Sequence, residues 1–295
     1  MLINLRDMCN IAEQNNMAVA AVNAASLEAI RAAIDAAEET GYPIIIQHAE
    51  VHESLVPLTT VAPIVTSLAE RSSATICLHL DHCEHLSYAR RALDLGFTGV
   101  MFDGSALPYE ENIERSVAAA EMCASFDAGL ECELGSMGTR EGGDPEKGAT
   151  VEETGAVYTD PTQAADFVAR TGLDALACSF GTVHGLYRGE PKLSFEVLGG
   201  IRQQVKVPLV MHGGSGVSDG DYIKAINAGI RKINYYTYGV KYAGEAVRAL
   251  VDERIAADPA SHVYWHDMTC AAYSSLFETF KHIMTVYANG AEPLA

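Results

Sequence analysis

Eight short apolar runs, each followed by a segment of helical periodicity, recur along the chain and restrict the folds open to it. They read MAVAAVN (17–23), PIIIQ (43–47), ATICLHL (74–80), GVMF (99–102), GLECEL (129–134), DALACSF (174–180), PLVMH (208–212) and RKINYY (231–236). Amphipathic stretches such as SLEAIRAAIDAAEET, HLSYARRALDLG, NIERSVAAAEMCASF and GVKYAGEAVRALVDERIAAD separate or follow them. Runs that stay apolar instead of alternating suit strands covered on both faces, and intervening helices make such a sheet parallel. Eight units in 295 residues fit a closed (β/α)8 TIM barrel. A doubly wound sheet is the competing α/β fold, but NAAS stands where its G-x-G-x-x-G turn would follow the first strand. The expectation is one barrel domain over residues 1–295, with an extra C-terminal helix in VYWHDMTCAAYSSLFETFKHIMTVYANG.

Charge and hydropathy narrow the partners. The formal charge is −19, a field that repels nucleic-acid phosphates, although local backbone N–H groups can still hold a small phosphorylated ligand. No apolar run reaches the roughly 18 residues of a membrane span, and MLINLRDMCNIAEQNN lacks a signal peptide's apolar stretch, so a cytoplasmic protein with no membrane partner is expected. The seven cysteines form no C-x-x-C pair and read as reduced core thiols, with Cys83 singled out because it lies two residues from Asp81.

In a barrel of this kind the C-terminal strand ends converge on one mouth. Asn23, Gln47, His48, Asp81, His82, Asp103, Glu133, His212 and Asn234 fall at those ends, and His184 follows the sixth run in GTVHG. Three histidines from three different strands can surround one divalent ion and leave a position open, as catalytic zinc requires. A lone histidine is more often a hydrogen-bonded structural residue, and His79, deeper in its run, reads that way. His85 reads as a surface or capping group. The His48/His52 pair in HAEVHE departs from H-E-x-x-H, because Ala49 stands where the glutamate belongs.

The stretch HGGSG departs from a nucleophile elbow, having Val217 where G-x-S-x-G needs glycine. Gly213, Gly214 and Ser215 instead offer backbone N–H groups at a strand-to-helix turn, where phosphate is favoured over a plain tight turn. Residues 135–160 are long and glycine-rich for a connection and read as a mobile loop over the site.

Taken in order, AVAAVNAASLEAI, LHLDHC, GVMFDGS, LECELG, YTDPTQAADFVARTGLDALACSFGTVHGLYRGEPKLSF and PLVMHGGSGVSDGDYIKAINAGIRKIN resemble the class II, metal-dependent ketose-bisphosphate aldolases over residues 3 to 240. The resemblance implies a homodimer or homotetramer acting on a small phosphorylated sugar. It implies a zinc ion on His82, His184 and His212, with Glu133 as an alternate or second-site ligand near Asp103 and a possible second divalent or monovalent cation. Asp81 would exchange the proton of the C4 hydroxyl, and Glu141 the proton on the enediolate carbon. Asn23, Gly185, Gly213, Gly214, Ser215, Asn234 and Thr237 would bind the dihydroxyacetone-phosphate half.

The other half of the substrate departs from the family pattern. Cys83 replaces the usual glycine after the D-H pair, Ala49 a serine, and NYYTYG brings Tyr235, Tyr236 and Tyr238 to the eighth strand. DPASHVYWHD lacks the phosphate-gripping arginine that the family carries near its C-terminus. The donor half then looks conventional, while the acceptor aldehyde is expected not to be glyceraldehyde 3-phosphate. A metal-dependent hydrolase on the same barrel and a non-catalytic aldolase-like binding protein are the alternatives; release of a triose ketone and an aldehyde without water separates the first, and metal analysis beside an Asp81→Ala variant the second.

Overall fold

The computed structural model describes residues 1–135, 157–187 and 189–294. Strands β1 (Val19–Asn23), β2 (Ile44–Ala49), β3 (Ile76–Cys83), β4 (Gly99–Phe102), β5 (Gly129–Leu134), β6 (Ala175–Cys178), β7 (Leu209–Met211) and β8 (Ile230–Tyr235) stand where the apolar runs put them. Each pairs in parallel with the next, and β8 returns to β1 with Val19 opposite Lys232 and Ala21 opposite Asn234, so the sheet closes. Every strand residue is buried, which is why the runs do not alternate in polarity.

The helices are α1 (Leu5–Gln14), α2 (Leu27–Thr40), α3 (Leu58–Ala69), α4 (Leu86–Asp94), α5 (Tyr109–Ser125), α6 (Pro161–Thr171), α7 (Phe195–Gln204), α8 (Asp219–Asn227), α9 (Thr237–Ala257) and α10 (Trp265–Tyr287). Local chemistry fixes their ends. Ser26 caps α2 by accepting from the Ala29 N–H, and Gly41, at φ +70°, turns the chain out of it. Asp160 accepts from both Thr162 and Gln163 at the start of α6, where Pro161 costs no hydrogen bond. None of the described helices is long and apolar enough to cross a membrane.

Two apolar layers follow from strand alternation. Ala20, Val22, Ile44, Ile46, Leu78, Leu80 and Val100 face outward and pack with the surrounding helices. Val19, Ala21, Ile45, Cys77, Met101, Ala175, Ala177 and Val210 face inward and pack with Leu5, Met8, Cys9 and Ala12 of α1. The opening segment, judged above only for its lack of a signal-peptide core, therefore plugs the N-terminal end of the barrel. The inward series continues toward the other end as Asn23, Gln47, Asp81, Asp103, Glu133, His212 and Asn234. Apolar packing at one end and polar convergence at the other set the position of the site.

Candidate active site

Alternation alone would send His82 outward, since Asp81 faces in. The pairing of β3 with β4 shifts register between Leu80 and Cys83, and His82 takes a left-handed backbone at φ +42°. This conformation costs a residue with a Cβ on the order of 1–2 kcal/mol, and here it brings two consecutive side chains to the same mouth. Cys83 is turned away: its Sγ donates to the His85 carbonyl, and burial together with the Glu50 charge pushes its thiol up to about 12. The cysteine singled out in the sequence is thus a covered thiol outside the site.

His82, His184 and His212 converge with their rings nearly perpendicular, at centroid separations of 4.9 Å, 5.8 Å and 4.6 Å. One nitrogen from each lies within 4.8 Å of the others. His82 Nδ1 is held by Asp103 Oδ2 at 2.9 Å and His212 Nε2 by Glu131 Oε1 at 2.7 Å, which leaves His82 Nε2 and His212 Nδ1 facing one another at 2.8 Å. A carboxylate on the far nitrogen is the usual way a metal-binding imidazole is oriented and its tautomer fixed. Both ring nitrogens of His184 are buried without a hydrogen-bond partner. An imidazole left so has a reason to be there if it binds a cation, and the donor set of three nitrogens fits a divalent transition metal. A second grouping, His82, Asp103 and Glu133, shares one imidazole with the first.

Asp81 sits beside this cluster, fully buried, with Asn23 Nδ2 donating to Oδ2 at 3.0 Å and Asn234 Nδ2 donating to Oδ1 at 3.1 Å. Burial opposes its charge, but His82, His212, Lys232 and the Asn23 amide outweigh that and hold the carboxyl well below its ordinary range. Burial works the same way against His82, where Asp81 and Asp103 prevail and raise the imidazole to about 10. Burial and the neighbouring His82 keep His184 and His212 below the ordinary histidine value. Glu133 goes the other way: burial and Asp103 raise it well above the usual carboxylate range. The site therefore holds an ionised, oriented carboxylate against a group of imidazoles.

The turn after β7 has the glycines that its geometry demands. Gly213 is at φ +62°, and a Cβ there would run into the Val183 carbonyl oxygen; a Cβ on Gly214 would lie 2.7 Å from the Asn234 carbonyl oxygen. Tyr187, which sequence reading passed over, ties this turn to the segment after β6 by accepting from the Val183 N–H and donating to the Gly213 carbonyl at 2.8 Å. Ser215 Oγ accepts from the Tyr236 N–H at 2.9 Å, which joins the turn to the start of α9, where Thr237 is the first residue. Gly185, at φ +91°, follows His184 directly. Glu141 lies outside the described residues.

His79 is buried between Gln47, 3.4 Å from its Nδ1, and Glu131, 3.6 Å from its Nε2, consistent with a structural role. His85 precedes α4 without capping it and bonds Glu50 through Nδ1 at 2.8 Å. His48 and His52 do not share a helix: His48 is the last residue but one of β2 and bonds the Tyr88 hydroxyl at 3.0 Å, whereas His52 belongs to a short 3-10 turn, Glu50–His52. Sequence reading missed Glu131 and Lys232, fully buried and 2.8 Å apart beneath the histidines. They sit two residues before Glu133 and Asn234, so alternation puts each on an inward face, but the chain does not show that the two meet.

Comparison with known proteins gives the family. The family described as fructose-bisphosphate aldolase class-II matches residues 3–289. The D-tagatose-1,6-bisphosphate aldolase subunit GatY of Klebsiella oxytoca is 36% identical over 261 residues, 88% of this chain and 90% of that protein. Among solved structures, the YdjI aldolase from Escherichia coli K12 superposes with a TM-score of 0.84 at 31% identity, covering 99% of this chain and 98% of that one. The fructose-bisphosphate aldolase (Fba) from Campylobacter jejuni does so with a TM-score of 0.80 at 21% identity, covering 97% of this chain and 95% of that one, a likeness of fold. Barrel, site and kinship together place the chain in the class II fructose-bisphosphate aldolase family, as a lyase.

Proposed function

We propose that the protein is a zinc-dependent aldolase that cleaves a ketose 1-phosphate or ketose bisphosphate, by a retro-aldol reaction, into dihydroxyacetone phosphate and an aldehyde. The observation that carries this reading is the convergence of three imidazoles, two of them oriented by carboxylates, beside an Asp81 gripped at both oxygens. His82, His184 and His212 would hold the cation, which when bound polarises the ketone and takes up the negative charge that C3–C4 cleavage leaves on oxygen. Asp81 accepts the proton of the C4 hydroxyl, and Asn23 and Asn234 keep its carboxylate in one orientation for that transfer. Glu141 is assigned the proton on the carbon of the departing triose by family resemblance alone.

The N–H groups around Gly213, Gly214 and Ser215, with Gly185, Asn234 and Thr237, form the proposed cradle for the donor phosphate. A phosphate there meets backbone donors held by the Tyr187 and Tyr236 contacts, so little ordering remains to be done on binding. The test is a coupled assay for dihydroxyacetone phosphate on fructose 1,6-bisphosphate and a panel of ketose 1-phosphates. Release of the triose from at least one ketose 1-phosphate is expected. No triose from any of them would overturn the assignment, and high efficiency on the bisphosphate alone would refute an unphosphorylated acceptor.

A further inference from the structure

The contact between His52 and Tyr236 lies where the mechanism does not use it. Their ring centroids are 4.9 Å apart, tilted by 46°. His52 leaves the end of β2, and Tyr236 follows the end of β8. These strands are not neighbours, since β1 lies between them, so the two rings meet across the end of β1, above Asn23. The backbone N–H of Tyr236 is fixed on Ser215, which places that ring at the margin of the phosphate cradle. His52 is only 5% exposed, and its buried Nδ1 has no hydrogen-bond partner. Its Nδ1 is fully occluded, so Nε2 is the nitrogen left to meet a ligand. Burial lowers its imidazole below the ordinary histidine value, with the Asp81 charge opposing and His82 adding to the effect.

We propose that a substrate laid with its phosphate on the β7 turn and its C4 hydroxyl on Asp81 runs on toward the segment after β2, that His52, backed by Tyr236, is there a specificity-determining residue that hydrogen-bonds a hydroxyl of the aldehyde half, and that this half is a polyhydroxylated aldehyde without a phosphate. The inference rests on the aldolase reading above. The rim supports a neutral acceptor. Glu50 and Glu53 flank His52 in the chain, Glu50 bound to His85 and Glu53 to Tyr88, with Arg91 3.3 Å from Glu53. A second phosphate would meet carboxylates whose nearby cation is already engaged, whereas a neutral hydroxyl needs one donor or acceptor and a ring to pack on.

The experiment runs the aldol direction on the full-length protein, with dihydroxyacetone phosphate and, in turn, acetaldehyde, glyceraldehyde and glyceraldehyde 3-phosphate. Wild type should prefer glyceraldehyde to its phosphate. His52→Ala should lower kcat/KM about 10-fold for glyceraldehyde and leave acetaldehyde, which has no hydroxyl to lose, nearly unchanged; His52→Gln should restore part of the loss. Exchange of the C3 proton of dihydroxyacetone phosphate needs no acceptor and should persist in both variants, reporting an intact site. An equal loss on all three aldehydes, an unchanged rate on glyceraldehyde, or a wild-type preference for the phosphorylated acceptor overturns the inference. Absence of C3 exchange in the wild type overturns the aldolase reading itself.

Discussion

Glu131 bridges His212 and Lys232 in the interior of the barrel, its Oε1 2.7 Å from His212 Nε2 and its Oε2 2.8 Å from Lys232 Nζ, with all three side chains fully buried. Burial raises the cost of its charge, yet Lys232 first and His212 after it hold the carboxyl down at about 2. Removing one member of a buried pair strands the other. Lys232→Met should therefore destabilise the fold by about 3–5 kcal/mol in urea unfolding, and adding Glu131→Gln should recover part of that loss. Unchanged stability in the single variant would show that the pair is not bearing on the fold.

Asp81→Asn keeps the shape of the side chain and removes the proton acceptor. The expected result is a fall in kcat of about 10²- to 10⁴-fold with metal content and melting temperature near wild type. Asn23→Ala, which frees one carboxylate oxygen, should lower kcat less than Asp81→Asn does. Loss of bound metal in Asp81→Asn would instead make the carboxylate a ligand.

Two glycines separate steric need from tolerance. Gly213→Ala forces a left-handed backbone at φ +62° and a clash with Val183, and should cost about 1–3 kcal/mol together with weaker donor binding. Gly244, inside α9, has nothing within 4 Å of a built Cβ, and Gly244→Ala should stabilise by about 0.5–1 kcal/mol. Opposite signs in paired thermal melts are the expected outcome.

The thiols divide by exposure. Cys270 is exposed, and Cys9, Cys77, Cys83, Cys123, Cys132 and Cys178 are buried. A thiol reagent should label one cysteine per chain rapidly in the native protein and the other six after unfolding. Rapid native labelling of Cys83 would contradict its burial against His85.

The barrel was legible because strands buried on both faces leave continuous apolar runs, and polar residues at or just past the ends of those runs marked the mouth. Three features were not legible, each for a spatial reason. The α1 plug depends on an inward-facing layer that exists only once the barrel closes. The placement of His82 beside Asp81 depends on a register shift, which the spacing of the residues does not reveal. Glu131 and Lys232 neutralise each other across the interior between β5 and β8, strands far apart in order, so neither looked paired in the chain.

Metal content measured on the purified protein, with wild type and His184→Ala analysed side by side and activity followed through chelation and re-addition of zinc, decides whether the three imidazoles hold a catalytic ion. One tightly held divalent ion per chain is expected in the wild type, with its loss in the variant and aldol cleavage that stops on chelation and returns with zinc. A wild type that is free of metal and cleaves its substrate at an undiminished rate would contradict that expectation.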